Sequence, residues 1–344
     1  MNATPELQET RDTSAPPKAI AAAQSGSHAP KISLGTLLGL PAAVAGSLIV
    51  HLLISKAEMP DETRDYTIFL SGALGVSLVL VAAQAFWMGL RHWLKESGPI
   101  LIAVALLLCV GEVATTGFRW LPMPYFPSPA GILQSMIHDR VMIFDSTWHS
   151  LLLLAGGYSL GVVAGVVSGV LIGWFAPWRY WGTPILKWVG PVPATAWIPL
   201  ALVVSPSAIL SAVGLIAFAV WFPVTMLTAS GISNTRASYL DVARTLGAKP
   251  SYLVFRVAIP AAMPNIFIGL FMGLGSSFLT LVVAETVGVK SGLGWYVSWA
   301  QGWAEYGKVY GALVIMSAFF STIMTVLFKV RDRVLVWQKG TIKW

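Results

Sequence analysis

The stretch that decides the fold is SNTRASYLDVARTLGAKPSYLVFRVAIPAAMP, Ser233 to Pro264, a polar and basic segment caught between two apolar runs, Ala208 to Ser230 and Pro260 to Thr286. Each run is long enough to cross a bilayer as a helix. Such a crossing takes about 20 mostly apolar residues, because every backbone amide must find its partner within the segment. Inside the polar segment, Tyr239, Leu240, Ala243, Leu246 and Gly247 recur at helical spacing. A short amphipathic helix is therefore predicted over about 238–248, with Ser238 near its start and Gly247 and Pro250 at its end.

Outward from this segment, the whole chain carries further runs of the same kind: Leu34 to Ser55, Thr67 to Leu90, Pro99 to Gly117, Ser150 to Phe175, Ile185 to Val204 and Val309 to Val330. With the two already named, these predict an all-α, polytopic membrane protein of about eight transmembrane helices. The composition agrees, since 56% of the 344 residues are hydrophobic and 11% charged, against about 25% charged in soluble domains. Residues 1–33 are Ala, Ser, Pro and Thr with a few charges and read as a disordered cytoplasmic tail. The short basic loop Arg91 to Gly98 divides a two-helix amino-terminal hairpin (34–97) from a six-span part (98–344).

Charge sets the orientation, because Lys and Arg in short loops stay on the cytoplasmic side. Placing both termini inside leaves six of the 22 basic residues outside: Lys56, Arg64, Arg119, Arg140, Lys290 and Lys308. The net charge of +7 is scattered between apolar runs, whereas nucleic-acid binding needs basic residues gathered on one folded face. Cys109 is the single cysteine, so an intrachain disulfide is excluded. His28, His51, His92, His138 and His149 show no metal-ligand spacing such as H-E-x-x-H. GVKS, Gly288 to Ser291, lacks the glycine beside lysine and the preceding strand of a phosphate-cradling loop. No enzyme, metal or cofactor is expected in this chain.

Four further features stand out. Gly157, Gly161, Gly165, Gly169 and Gly173 put one glycine every four residues through the fourth run, a slowly rotating groove into which another helix can pack. KWVGPVPATAWIPLALVV, Lys187 to Val204, places Pro191, Pro193 and Pro199 in a span. The carbonyls they free are tolerated only against protein or a water-filled cavity. Glu112 and Glu285 fall within or at the edge of apolar runs, where a carboxylate is a functional candidate. Glu112 reads as lying near the outer interface or paired in the bundle, and Glu285 as a structural or gating anchor before Gly288, Gly292 and Gly294. Thr195, Trp197, Ser276, Ser277 and Thr280 are the polar groups available to a solute path.

Within the opening stretch, Asp241, Val242 and Ala243, three residues, Gly247, nine residues, Val257, one residue, Ile259 and Pro260 stand in a fixed register. This resembles the cytoplasmic loop signature of ABC importer permeases, E-A-A, three, G, nine, I, x, L, P. With the runs His149 to Gly173 and Leu281 to Val297, the chain is similar to the taurine, aliphatic sulfonate and nitrate branch over Pro99 to about Lys339. It departs from that branch at Val204, Ser205 and Pro206, where an aromatic and a glycine are common, and in its two extra amino-terminal spans.

The resemblance implies that Tyr239, Asp241, Ala243, Arg244, Leu246, Gly247 and Pro260 form a coupling helix and its exit, gripped by a separate cytoplasmic ATPase dimer that binds ATP and Mg. It also implies a second permease copy, a periplasmic or lipid-anchored solute-binding protein, and residence in a bacterial inner membrane. An ATP-independent secondary transporter or channel is the alternative, against which stands the lack of an internal repeat.

Overall fold

The computed structural model describes residues 34–54, 60–84 and 86–338. The expected tail, 1–33, and Lys56, Lys339 and Lys343 lie outside the described residues. No β-strand occurs among the described residues. In chain order the helices are α1 (Leu34–Ile54), α2 (Pro60–Ala83), α3 (Met88–Glu112), α4 (Pro129–His138), α5 (Arg140–Trp174), α6 (Ala176–Val189), α7 (Ile198–Val204), α8 (Ala208–Ser233), α9 (Ala237–Thr245), α10 (Pro250–Tyr252), α11 (Ile259–Val287), α12 (Leu293–Gly302) and α13 (Tyr306–Val334). A π-helical turn, Leu253–Ala258, joins α10 to α11 without a break.

α8 is the centre of the bundle. On one side it receives the glycine stripe of α5, where Gly157 meets Ile216, Gly161 meets Val220, Gly165 meets Val224, Gly169 meets Thr228 and Gly173 meets Ile232. The partners also advance by four, so the two helices run parallel with one continuous seam. A β-carbon on any of these glycines would lie 2.5–2.8 Å from its neighbour on α8, and only hydrogen lets the backbones approach so closely. On its other side α8 packs antiparallel against α11, with Gly273 over Val220, Gly269 over Val224 and Gly231 against Ala262.

Because α5 and α8 are parallel, the chain between them must return across the bilayer. That return is made by α6 and α7, so the irregular span expected over Ile185 to Val204 begins earlier, at Ala176. The crossing is a broken pair, Ala176–Val189 and Ala194–Val204, bent by 86°. Pro191 and Pro193 sit in the break, where each removes a backbone donor and blocks continuation of α6. Among the described residues six other helices are long and apolar enough to span, α2, α3, α5, α8, α13 and the continuous Pro250–Val287, and α1 adds a shorter apolar helix described over Leu38–Ile54.

Three other expectations change. Arg91 to Gly98 is not a loop but the first turns of α3, which begins at Met88. Arg, Leu, Lys and Glu are good helix formers, so charge in this stretch marks an interface, not a break. α3 then packs on α1, parallel to it, with Ile102 at Gly39 and Gly117 at Ile54. The polar segment shortens to 234–249, since α8 runs to Ser233 and helix resumes at Pro250. Pro260 accordingly lies ten residues inside the resumed helix, just past the π turn whose wider register accommodates its missing donor.

Two short helices were not anticipated. α4 is capped by Ser128, whose hydroxyl accepts the Gly131 amide at 3.1 Å, and it bridges α2 to α13. α12 follows α11 on the face of the bundle opposite α9.

Candidate coupling surface and solute cleft

α9 stands clear of the spans. Tyr239, Val242 and Leu246 are exposed, Leu246 by 82%, and with Tyr252 and Phe255 across the turn they line an open hollow of about 730 Å³ that also reaches Ala243 and Gly247. Among the described residues, nothing covers that apolar surface. Its end is fixed by local chemistry: Gly247 takes φ +78°, its amide donates to the Arg244 carbonyl at 2.9 Å, and the Ala248 amide donates to the Ala243 carbonyl at 3.0 Å. This pair of bonds with a left-handed glycine satisfies carbonyls the helix end would orphan. Asp241 and Arg244 pair at 3.1 Å on the exposed face, a contact worth about 0–1 kcal/mol in solvent. Pro260 lies away from the hollow, while Ala258 and Ala262 are buried with Ile232 and Ile266. Beyond α9, the helix that resumes at Pro250 runs unbroken into α11 and packs on α8 through these buried residues.

Of the residues expected along a solute path, three meet. Thr195, from the 3₁₀ turn in the broken span, faces Ser276 and Thr280 of α11 across a cleft of about 300 Å³, walled by Phe218, Phe222 and Pro223 of α8. Ser276 donates to the Met272 carbonyl at 3.0 Å and Thr280 to the Ser276 carbonyl at 2.9 Å. Both hydroxyls thus offer lone pairs at rest, and an anion would have to draw their protons off the backbone. Ser277 is fully buried with its hydroxyl on the Leu274 carbonyl at 2.7 Å, so it is corrected from path to packing. Trp197 lines a neighbouring apolar hollow with Leu200 and Val204, its ring edge-on to Phe218 at 6.1 Å.

Glu285 is fully buried on the face opposite α9. One carboxylate oxygen accepts the Ser150 hydroxyl at 2.7 Å and the other the Gly294 amide at 2.8 Å, while Ser150 accepts the Leu293 amide at 2.9 Å. The carboxylate and hydroxyl together satisfy the first two amides of α12 and bring negative charge to its amino-terminal dipole. Gly292, at φ +105°, lies so close to the Glu285 carboxylate that a side chain would collide with it. Glu285 thereby ties α5, α11 and α12 into one knot.

Two clusters go beyond the sequence reading, which placed Glu112 near the outer interface or paired in the bundle and named no partner for it. Lys308 bridges Asp139 at 3.0 Å and Glu305 at 2.8 Å, and the Tyr296 hydroxyl donates to Asp139 at 2.9 Å. Burial, then the Asp139 carboxylate, pushes the Tyr296 phenol well above its ordinary range. His51 of α1 pairs with Glu112 of α3, both buried. The signal for the second pair was a histidine and a glutamate each in an apolar run, which polar groups in a membrane make together.

A helical bundle with a proline-broken span, a cleft against that break and an uncovered apolar helix outside the bilayer is a transport permease. The chain belongs to the family described as binding-protein-dependent transport system inner membrane component, whose profile matches residues 157–335, just over half of its length. A nitrate import permease protein of Synechocystis is 29% identical over 208 residues, 57% of this chain and 74% of its own. A Bacillus subtilis relative named for transport of aliphatic sulfonates is 31% identical over 206 residues, 59% of this chain and 72% of its own. Among solved structures, a chain of the MetNI methionine ABC transporter, described as inward facing, superposes with a TM-score of 0.50 at 17% identity. It covers 57% of this chain and 98% of that one, a likeness of fold. The chain is thus a multi-pass permease subunit of an ABC importer, and α1 to α4 lie outside the matched region.

Proposed function

We propose that this permease passes a small anion of the sulfonate, taurine or nitrate kind and is driven by a separate cytoplasmic ATPase dimer that grips α9. The observation that carries the reading is the uncovered apolar group made by Tyr239, Val242 and Leu246 with Tyr252 and Phe255 at the start of the resumed helix, which runs on into α11. ATP and Mg belong to the ATPase, whose closure moves the two α9 helices of a permease homodimer and switches the cleft between openings. A periplasmic or lipid-anchored binding protein delivers the cargo, and both termini lie in the cytoplasm of a bacterial cell. Residues 98–344 serve as the permease domain, and the amino-terminal spans are an addition to it. Thr195, Ser276 and Thr280 suit an anion because neutral hydroxyls bind without the fixed charge that would hinder release. The names of the nitrate and sulfonate relatives support that class of cargo.

Gly247→Asp and Ala243→Arg test the coupling. Uptake should fall to background and the ATPase should no longer copurify, while the permease still inserts. A β-carbon on Gly247 would meet nothing within 4 Å, and aspartate is among the residues that tolerate a left-handed backbone, so the fold should survive the change. Wild-type uptake by both variants would overturn the coupling role. Solute flux through the purified chain alone in liposomes, down a gradient and without ATPase, would favour a channel or secondary transporter instead. Calorimetry on the binding protein identifies the cargo.

A further inference from the structure

The stretch that leads from α2 into α3, to which the transport cycle assigns no role, holds two side chains that lack what their chemistry requires. α2 ends at Ala83 and α3 begins at Met88. Trp87, at φ −128° and ψ 104°, is the extended residue through which the chain enters α3. Such a corner has an outer and an inner side, and exposure sorts the residues between them. Phe86, Trp87 and Met88 are 94%, 72% and 82% exposed, whereas Gln84 is 8% exposed, Leu94 is buried and Arg91 is half-buried.

On the inner side two donors go unmet. The Gln84 side-chain nitrogen and Arg91 Nε are both shielded from solvent, and neither has a hydrogen-bond partner among the described residues. No acid among those residues pairs with Arg91, and the acid of its own stretch, Glu96, lies beside His92 at 3.4 Å instead. A shielded donor left unpaired is costly, and a guanidinium cannot escape the cost by losing its proton. The missing partner is therefore an acceptor, and a negative one bonds a guanidinium most strongly.

Depth in the bilayer indicates its source. The span Thr63–Ala83 has 21 residues, about 31 Å of helix and so about one hydrocarbon thickness. Gln84 directly follows it. The span Met88–Gly117 has 30 residues, about 45 Å, and overruns the hydrocarbon. Gln84 and Arg91 thus stand at headgroup level, and the exposed rings of Phe86 and Trp87 suit the boundary between headgroups and acyl chains. At that level the acceptor supplied by the membrane itself is a lipid phosphate, whose oxygens match the donor fork of arginine.

We propose that the inner side of this corner binds the phosphate of one anionic phospholipid, with Arg91 Nε and the Gln84 amide donating to its oxygens. The Arg91 charge is otherwise unbalanced, which favours a headgroup of net negative charge over one that carries its own cation. None of the residues lining the cleft between the broken span and α11 lies in this stretch, so lipid and cargo do not compete.

Native mass spectrometry of the full-length permease in detergent micelles tests this, with adducts counted as dioleoylphosphatidylglycerol, dioleoylphosphatidylcholine or inorganic phosphate is added. One phosphatidylglycerol should bind per chain at least about tenfold more tightly than phosphatidylcholine. Arg91→Gln should weaken it about tenfold and Gln84→Leu about threefold, as expected for a charged and a neutral donor. Leucine removes an unmet buried donor at similar volume, so the Gln84 variant should fold, and it decides the matter if the Arg91 variant cannot be purified. Equal binding of the two lipids overturns the proposal and leaves water in the corner. Weaker binding in Arg91→Gln with none lost in Gln84→Leu also overturns it, since diffuse attraction to positive charge would then suffice. Millimolar inorganic phosphate should leave the lipid adduct in place, and its displacement would make the ligand a free anion and overturn the lipid assignment.

Discussion

The seam between α5 and α8 and the surface of α9 both rest on glycine, yet they use it for opposite ends. Along the seam, Gly157 to Gly173 remove side chains so that two backbones can touch, and every position is filled by a residue of α8. On α9, Gly247 supplies a left-handed turn with open space around it, and the apolar residues beside it are left bare. The first region is complete within one chain. The second is left open among the described residues, at the place where the proposed ATPase would seat.

The sharpest way to break that contrast is Gly161→Leu. Its β-carbon would fall 2.5 Å from the Ala217 carbonyl oxygen and 2.7 Å from Val220 Cβ, and a backbone atom cannot yield as a side chain can. Overpacking costs about 1–3 kcal/mol where side chains adjust, and here the expected result is loss of monodisperse protein after solubilisation. Recovery of the variant at wild-type yield and midpoint would mean that the seam is not the closure of the bundle.

Glu285→Gln should have a middling effect. The amide keeps one acceptor for the Gly294 or Ser150 donor but turns its own donor toward the other, at a cost of about 1–3 kcal/mol for a mismatched buried group. A thermal midpoint lowered by several degrees with the ATPase still copurifying is expected. Loss of copurification would place Glu285 in the coupling path instead of in the knot beneath α12.

The smallest structural effect should come from Ser276→Ala and Thr280→Val. Each removes a hydroxyl that bonds only its own helix, so stability should fall by no more than about 1.5 kcal/mol per site. Uptake should nevertheless change, with the half-saturating concentration raised several-fold for the double variant. Unaltered uptake would take the cleft by α11 out of the solute path.

The helical runs and α9 are readable because their signals are local. Apolar length marks a span, a four-residue glycine period marks a close-packed face, and glycine followed by proline ends a helix. The break in the broken span is readable too, from its prolines, although its 86° bend is not. Arg91 to Gly98 misleads because charge suggests a boundary where the residues themselves favour helix. Ser277 misleads because its neighbours one residue before and three after both face the cleft while it points the other way. His51 and Glu112 each stand out as polar groups in an apolar run, but nothing local says that they pair, since 61 residues separate them.

By itself the sequence determined that this chain lives in a bilayer, how many apolar runs it has, and that a short helix ending at Gly247 lies between two of them. These depend on hydropathy, period and turn chemistry within a few residues. Only the tertiary structure decided that the glycines of α5 meet α8 in parallel, that Ser150 reaches Glu285 across 135 residues, and that His51 finds Glu112. Those pairings follow from which helices pack side by side, and in hydrocarbon, where apolar surfaces gain little by meeting, that choice falls to close shape fit and to the few buried polar groups that must find one another.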